Sequence, residues 1–562
     1  MKRRKNFETH HSSVEEEEED DDDDDDDDEK FTSKNPDLQR SLPKIFIFCL
    51  IARIINSLLV QTYFNPDEHW QALEIAHRIS FGYGHLTWEW EKGIRSYLHP
   101  LIFAALYKIR SPRLLQSIFA SFCDLYVYKF SRVLFGGSVA EWALFAQLSN
   151  WFLFYCMPHT FSNSLETVLT IVSLYYWPCL RGTATALPSG SRKYALAIAA
   201  IACAVRPTSA VTWIYVGCLE LYTTRSKLKF LLLEVVPIGG IVLGLTFLLD
   251  YQFYGSWVIV PLNFLKFNFF SSGGDYYGTH AWHWYFTQGF TVMLFTYIPF
   301  TIAGIVESKE RKLPGLVLWV LGIYSLLGHK EFRFVLPVLP VALMFSGYSL
   351  AKLGRAEISK GDSNSHIRRA PKLELAVCYG DGASTSGTVA SRPIGAEDNE
   401  ETRAHDPSGM SMVLSLRMVL LLPANLRSLQ RGTEDVMNYL AEEAMKNNVE
   451  GILFLTPCHA TPYYSTLHRN LPMRFLDCTP SDEKGILDES EQFLGDPAGF
   501  ATKLAQTWNR PSHIVVFDAE EKPLKEFLVS HNFKEIRRFF HSHFKVDREL
   551  QASVVLYGFH GY

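Results

Sequence analysis

Apolar stretches separated by short polar loops recur through roughly the first 350 residues. The first is Ile45 to Tyr63. Others run over Leu114 to Tyr128, Val139 to Cys156, Leu165 to Leu180, Tyr194 to Val205, Ala210 to Tyr222, Phe230 to Leu249, Tyr285 to Val306, Leu313 to Leu327 and Phe334 to Leu350. A bilayer core needs about 20 residues of helix, so the pattern predicts an α-helical polytopic membrane protein with about 10–11 spans, some of them short. Leu98 to Ile109 is shorter still, and predicts a half-span or re-entrant segment.

Beyond Leu350 the pattern changes twice. Residues 355–410 are rich in Gly, Ser, Asp, Glu and Arg without a sustained period, and the only apolar run after them, Met412 to Leu422, is interrupted by Arg417 and closed by Pro423. From Gln430 on, an amphipathic stretch (Thr433 to Lys446), strand-like runs (Gly451 to Leu455, Ile514 to Phe517, Ala552 to Tyr557) and a helical Lys522 to His531 predict a small α/β domain. Four parts follow: a disordered acidic tail (1–42), a multi-span body (43–353), a low-complexity insert with a weak apolar segment (354–427) and a C-terminal α/β domain (428–562). If Met412 to Leu422 does not cross, the last domain is expected on the cytosolic side.

Composition sharpens this picture. With 48% hydrophobic residues and 14% aromatic, an ordinary soluble enzyme and a nucleic-acid binder are both disfavoured. The formal charge of −6 hides an unbroken acidic run from Glu15 to Glu29, and the rest of the chain is basic. No apolar stretch follows the Lys2 to Lys5 patch closely, so the first span is expected to remain as an anchor. Nine cysteines without a CxxC pair or regular spacing argue against a disulfide scaffold or zinc module.

Lys and Arg gather on every second loop: Lys129 with Arg132, Arg181 with Arg192 and Lys193, Arg225 with Lys227 and Lys229, Lys309 with Arg311 and Lys312, and Lys352 with Arg355. Cationic loops mark the cytosolic side. Asn65 to His99, His159 to Glu166, Arg206, Tyr251 to Trp284 and His329 to Arg333 then share the other side, provided that Leu98 to Ile109 does not fully cross.

Those loops hold the candidate chemistry. In Asn65-Pro66-Asp67-Glu68-His69-Trp70, Glu68 stands three residues after a potential N-cap, the place of a capping-box acid. Asp67 has no such duty, and an acid at a helix start beside a membrane is a candidate base. Arg95 and His99 are placed to meet a phosphate from the same side. His329, Lys330 and Arg333 sit in a loop barely long enough to leave the bilayer, which is costly unless they meet an anion. A phosphate is one such anion; an internal Glu331–Arg333 pair is the alternative. In Asp275 to Tyr285, His280 and His283 lack the further ligands that a metal needs, whereas Trp282 and its polar aromatic neighbours suit sugars. No phosphate-binding loop, dinucleotide fingerprint, zinc-protease motif or serine-hydrolase elbow occurs in a sensible context.

Asn65-Pro66-Asp67-Glu68-His69-Trp70-Gln71, Arg95-Ser96-Tyr97-Leu98-His99-Pro100, Ser162-Asn163-Ser164-Leu165-Glu166-Thr167, Arg206-Pro207-Thr208, His280-Ala281-Trp282-His283-Trp284-Tyr285 and His329-Lys330-Glu331-Phe332-Arg333-Phe334 occur in this order. Together they resemble the dolichyl-phosphate-mannose-dependent α-mannosyltransferases of the GT-C fold, family 22. The likeness resumes in the terminal domain at Thr456 to Tyr464 and Leu471 to Leu476, which favours the branch that builds the GPI-anchor precursor over the branch that acts on the lipid-linked N-glycan precursor.

The resemblance implies addition of the third mannose, α1,2-linked and with inversion, to the GPI precursor at the lumenal face of the endoplasmic reticulum membrane. Dolichyl-phosphate-mannose would be the donor, the GPI precursor glycolipid the acceptor, and membrane lipids the surroundings; no metal or other cofactor and no nucleic acid are expected. Asp67 is implied as the base, with Glu68 the other catalytic candidate. Arg206, His329, Lys330 and Arg333 are implied around the donor phosphate, and His69, Arg95, His99, Glu166, His280, Trp282 and His283 complete the substrate-binding set. A non-enzymatic lipid transporter or scramblase is the rival class. It should show internal repeats and polar residues within paired broken helices, neither of which the sequence displays.

Overall fold

Asn150 breaks what hydropathy draws as one span. The helix Gly137–Ser149 ends there, and Asn150 caps the next, Trp151–Cys156, by accepting the Leu153 amide on its side chain. A second break faces it: Tyr285 to Glu307 is interrupted at Phe295, whose φ of 45° is a left-handed conformation unfavourable for a bulky residue. Side chains at the first break satisfy carbonyls at the second. Asn150 Nδ2 donates to the Met293 carbonyl and Trp151 Nε1 to that of Val292, both at 2.9 Å. Backbone groups released inside a membrane need such partners. A paired broken helix is therefore present, contrary to the sequence reading, because a hydropathy window averages across a single polar residue.

The computed structural model describes residues 36–60, 62, 65–107, 112–181, 190–270, 279–361, 431–479, 487–542 and 551–560. Most of the tail, the 275–278 part of the aromatic loop, and Met412 to Leu422 with Arg417 lie outside them. Every expected span contains helix. Among the described residues four helices are long and apolar enough to cross a membrane: Ser41–Leu59, Lys227–Tyr254, Tyr285–Glu307 and Phe332–Arg355, with Lys312–Leu326 apolar but shorter. The first helix begins at Pro36, within the stretch expected to be tail, and the helix Leu339–Gly361 runs on into the expected insert. Leu98–Tyr107 has 10 residues, so it is about 15 Å long and too short to cross.

Helix Leu339–Gly361 lies at the centre of the body, and glycines set its approach to its neighbours. A Cβ on Gly347 would stand 2.5 Å from the Ala143 amide nitrogen, and one on Gly304 2.0 Å from the Phe345 carbonyl oxygen. Backbone cannot yield as a side chain does, so Gly347→Val is expected to cost about 3 kcal/mol, the upper end for overpacking. A thermal melt in detergent checks this. Arg53 and Asp124, both fully buried, join the first helix to Pro112–Phe135 at 2.6 and 2.7 Å.

The terminal domain is a five-stranded sheet of order β2-β1-β3-β5-β4, with β1 Ile452–Leu455, β2 Met473–Arg474, β3 His513–Phe517, β4 Phe533–Phe540 and β5 Ser553–Phe559. β2, β1 and β3 are parallel, and β5 runs antiparallel to β3 and β4. Helix Gly432–Met445 covers one face and Asp518–Ser530 the other, which is why β1 and β3 are apolar at nearly every position. β4, at the edge, carries Lys534, Glu535, Arg537 and Arg538, charges that discourage further strand pairing.

This domain docks on the first loop of the body. Trp70 enters its core cluster and donates Nε1 to the carbonyls of His459 and Thr461 at 3.1 Å. Buried Glu74 accepts the amides of Tyr463 at 2.8 Å and Ser465 at 3.1 Å, and Tyr107 donates to the Ser465 carbonyl at 2.8 Å. The domain thus sits on the same side as Asp67. A domain on the opposite side is expected only if Met412 to Leu422 does not cross, and that segment lies outside the described residues. A disulfide, Cys458–Cys478, closes one edge of the terminal domain, a bridge for which the cysteine spacing gave no sign.

Candidate active site

Asp67 begins the helix that follows Asn65-Pro66. Asn65 Oδ1 accepts the Asp67 amide at 3.0 Å, and the Asn65 carbonyl accepts that of Glu68 at 3.0 Å. The capping box expected for Glu68 does not form. Its carboxylate is turned inward and fully buried, meeting His159 Nδ1 at 2.8 Å, the Thr160 amide at 3.3 Å and Arg113 Nε at 3.6 Å. Burial raises the Glu68 pKa, but His159 and Arg113 outweigh it and hold the carboxyl well below the usual range. Such charge-assisted contacts are stronger than the one backbone bond a capping box offers. Glu68 is therefore placed to fix the loop from within.

Asp67 remains reachable, its side chain 24% exposed, and pairs with Arg333 Nη1. Arg333 also grips Glu331, through Nε at 2.6 Å and Nη2 at 2.8 Å, and Asn65 Nδ2 reaches Glu331 Oε2 at 3.3 Å. Two loops 266 residues apart are thereby laced together. His329 Nε2 lies 2.9 Å from Glu331 Oε1. Lys330 is buried, donating to the carbonyls of His280 at 2.8 Å and Gly328 at 3.4 Å. The anions that make this loop affordable are thus Glu331 and Asp67 themselves: the internal pair is formed, and extended to the candidate base.

Although burial opposes it, Arg333 and His329 hold the Glu331 pKa down at about 2. A depressed carboxyl contributes stability that is complete above its ordinary value near 4.3 and is lost as pH falls towards the folded value. The melting-temperature deficit of Glu331→Gln relative to wild type is therefore expected to shrink as pH falls below about 4, where the wild-type carboxylate begins to lose its advantage.

A second cationic group adjoins the first. Arg206 Nε lies 3.4 Å from Glu166 Oε2, and its Nη1 donates to Ser162 at 3.3 Å. The guanidiniums of Arg206 and Arg333 both lie over the Phe334 ring, at 5.5 and 5.7 Å. Arg95 bonds Glu89 at 2.7 Å, leaving its buried Nε without a hydrogen-bond partner among the described residues.

His99 is buried, with Nε2 2.9 Å from the Thr160 carbonyl. His69 faces Glu434 of the terminal domain at 3.5 Å. Trp282 is 68% exposed, and His283 is exposed beside Thr287. His280 stacks on Trp284 at 4.8 Å and supplies the cluster with its carbonyl alone. The sequence reading missed Arg113 and His159 as supports of Glu68. The available signal was position: His159 lies in a loop assigned to the side of Asp67, and Arg113 stands at the start of an apolar helix.

A family model for the Alg9-like mannosyltransferases matches residues 44–468, a span that includes Asp67, Arg206 and Arg333. The chain belongs to that family. Relatives agree. It is 58% identical to mannosyltransferase APTG1 of Arabidopsis thaliana, with 92% of each chain covered. It is 36% identical to GPI alpha-1,2-mannosyltransferase 3 of Bos taurus, covering 92% of this chain and 90% of that one. Identity to the Homo sapiens protein of the same name is 35%, covering 92% and 87%. The crystal structure of ArnT from Cupriavidus metallidurans bound to undecaprenyl phosphate superposes with a TM-score of 0.56 at 11% identity, covering 92% and 98% of the two chains. This Alg9-like protein thus has the GT-C fold and is a membrane-bound α1,2-mannosyltransferase.

Proposed function

We propose that this mannosyltransferase adds the third mannose of the GPI-anchor precursor, α1,2-linked, from dolichyl-phosphate-mannose, at the lumenal face of the endoplasmic reticulum membrane. The naming of relatives with about 90% overlap supports the acceptor. The Cys458–Cys478 disulfide, on a domain docked beside Asp67, supports the lumenal side, since such bonds persist in oxidising compartments.

The observation that carries the mechanism is a reachable carboxylate, Asp67, paired with the Arg333 guanidinium, which shares the Phe334 ring with that of Arg206. In this reading Asp67 takes the proton of the acceptor 2-hydroxyl as its oxygen attacks C1 of the donor mannose. The C1–O bond to the lipid phosphate breaks, and the β-linked sugar emerges α-linked after a single displacement. The arginines stabilise the departing phosphate monoester. A monophosphate needs less charge neutralisation than a diphosphate, so no metal enters the scheme.

The test is lipid mass spectrometry of cells lacking the protein. The proposal requires accumulation of the two-mannose GPI intermediate. Accumulation of a lipid-linked N-glycan intermediate instead would move the enzyme to the other branch of its family.

A further inference from the structure

Between the first loop and the terminal domain lies a cavity of about 270 Å³ that the transfer mechanism does not use. Thr87, Trp88 and Glu91 form one wall, and Phe475 and Asp477 the other. The disulfide joins the segment after β1 to the segment after β2 and so ties Asp477 beside His459. His459 connects the cavity to the site. Its ring packs on Trp70 at 4.7 Å, and Trp70 lies three residues beyond the candidate base.

One polar group at this cavity is unengaged. The exposed Glu91 carboxylate makes no hydrogen bond or ion pair among the described residues. Aromatic faces of Trp88 and Phe475 beside a free carboxylate fit a sugar ring, whose apolar face stacks while its hydroxyls donate to the acid. The volume lies just under the roughly 300 to 1,000 Å³ of typical ligand pockets, which suits one ring.

We propose that this cavity binds a sugar of the acceptor glycan other than the one that reacts, making the terminal domain part of the acceptor site. This rests on the reading of the acceptor as a GPI precursor. The chain's two halves then divide the work: the body holds the donor phosphate and the base, and the docked domain holds the growing glycan in register with them.

Steady-state transfer by the purified full-length protein tests it, with Glu91→Gln and Glu91→Ala. Each weakens or removes about one charge-assisted hydrogen bond to the glycan, so the acceptor KM should rise about tenfold while the donor KM stays within about twofold. Glu91 is exposed, so Glu91→Gln should keep its melting temperature. An unchanged acceptor KM in both variants, or an equal rise in the donor KM, overturns the proposal. Failure of the wild-type protein to use the two-mannose glycolipid would instead overturn the underlying reading of its function.

Discussion

Asp67→Asn is expected to abolish mannosyl transfer while leaving the protein folded and abundant. The substitution keeps the size and polarity of the side chain and removes its basicity. The helix start should survive, because Asn65 caps the Asp67 amide and makes no use of its carboxylate. Arg333 loses one anion but keeps its two bonds to Glu331, so the 329–333 loop stays anchored. Loss of a positioned base typically costs about 10² to 10⁴ in rate. Purified variant and wild type, compared for turnover and melting temperature, should differ in the first and agree in the second. Turnover near wild type would move the role of base away from Asp67.

The second large effect is structural. Glu74→Ala is expected to undock the terminal domain. The buried carboxylate accepts the amides of Tyr463 and Ser465 from a segment nearly 400 residues away in sequence, and the alanine leaves both donors buried without it. Each orphaned donor costs about 1 to 3 kcal/mol, so the interface should lose several kcal/mol. Trp70, Tyr107 and Arg113 make the neighbouring contacts, which the substitution leaves unchanged. Limited proteolysis should then release a fragment beginning near residue 431 from the variant under conditions in which the wild type is intact. Equal protease resistance would show that the remaining contacts hold the domain without Glu74.

How far the sequence carried the reading depended on how local each feature was. The helical segments, the α/β domain and the side shared by Asp67 and Arg333 were legible, because apolar runs and alternating basic loops mark them along the chain. Breaks at Asn150 and Phe295 were not: one polar residue in an apolar run, and one unfavourable φ, leave no trace in a hydropathy average. Glu68 was misread as a capping acid for a related reason. Its position favours the local bond, whereas its actual partners, His159 and Arg113, come from elsewhere in the fold. Likewise the 329–333 loop was recognised as costly in charge, but that Asp67 should be one of its anions is a contact across 266 residues. The docking of Trp70 and the pairing of Cys458 with Cys478 have the same character.

The central claim is that Asp67 and the arginines about it transfer mannose from a lipid monophosphate to a GPI acceptor. Its most direct test uses the purified protein in detergent with radiolabelled dolichyl-phosphate-mannose and the two-mannose GPI glycolipid. The account predicts a labelled three-mannose product whose new residue is released by an α1,2-specific mannosidase, formed equally with and without a metal chelator and absent with Asp67→Asn. Label that resists that mannosidase, or product formed at the wild-type rate by Asp67→Asn, would contradict it.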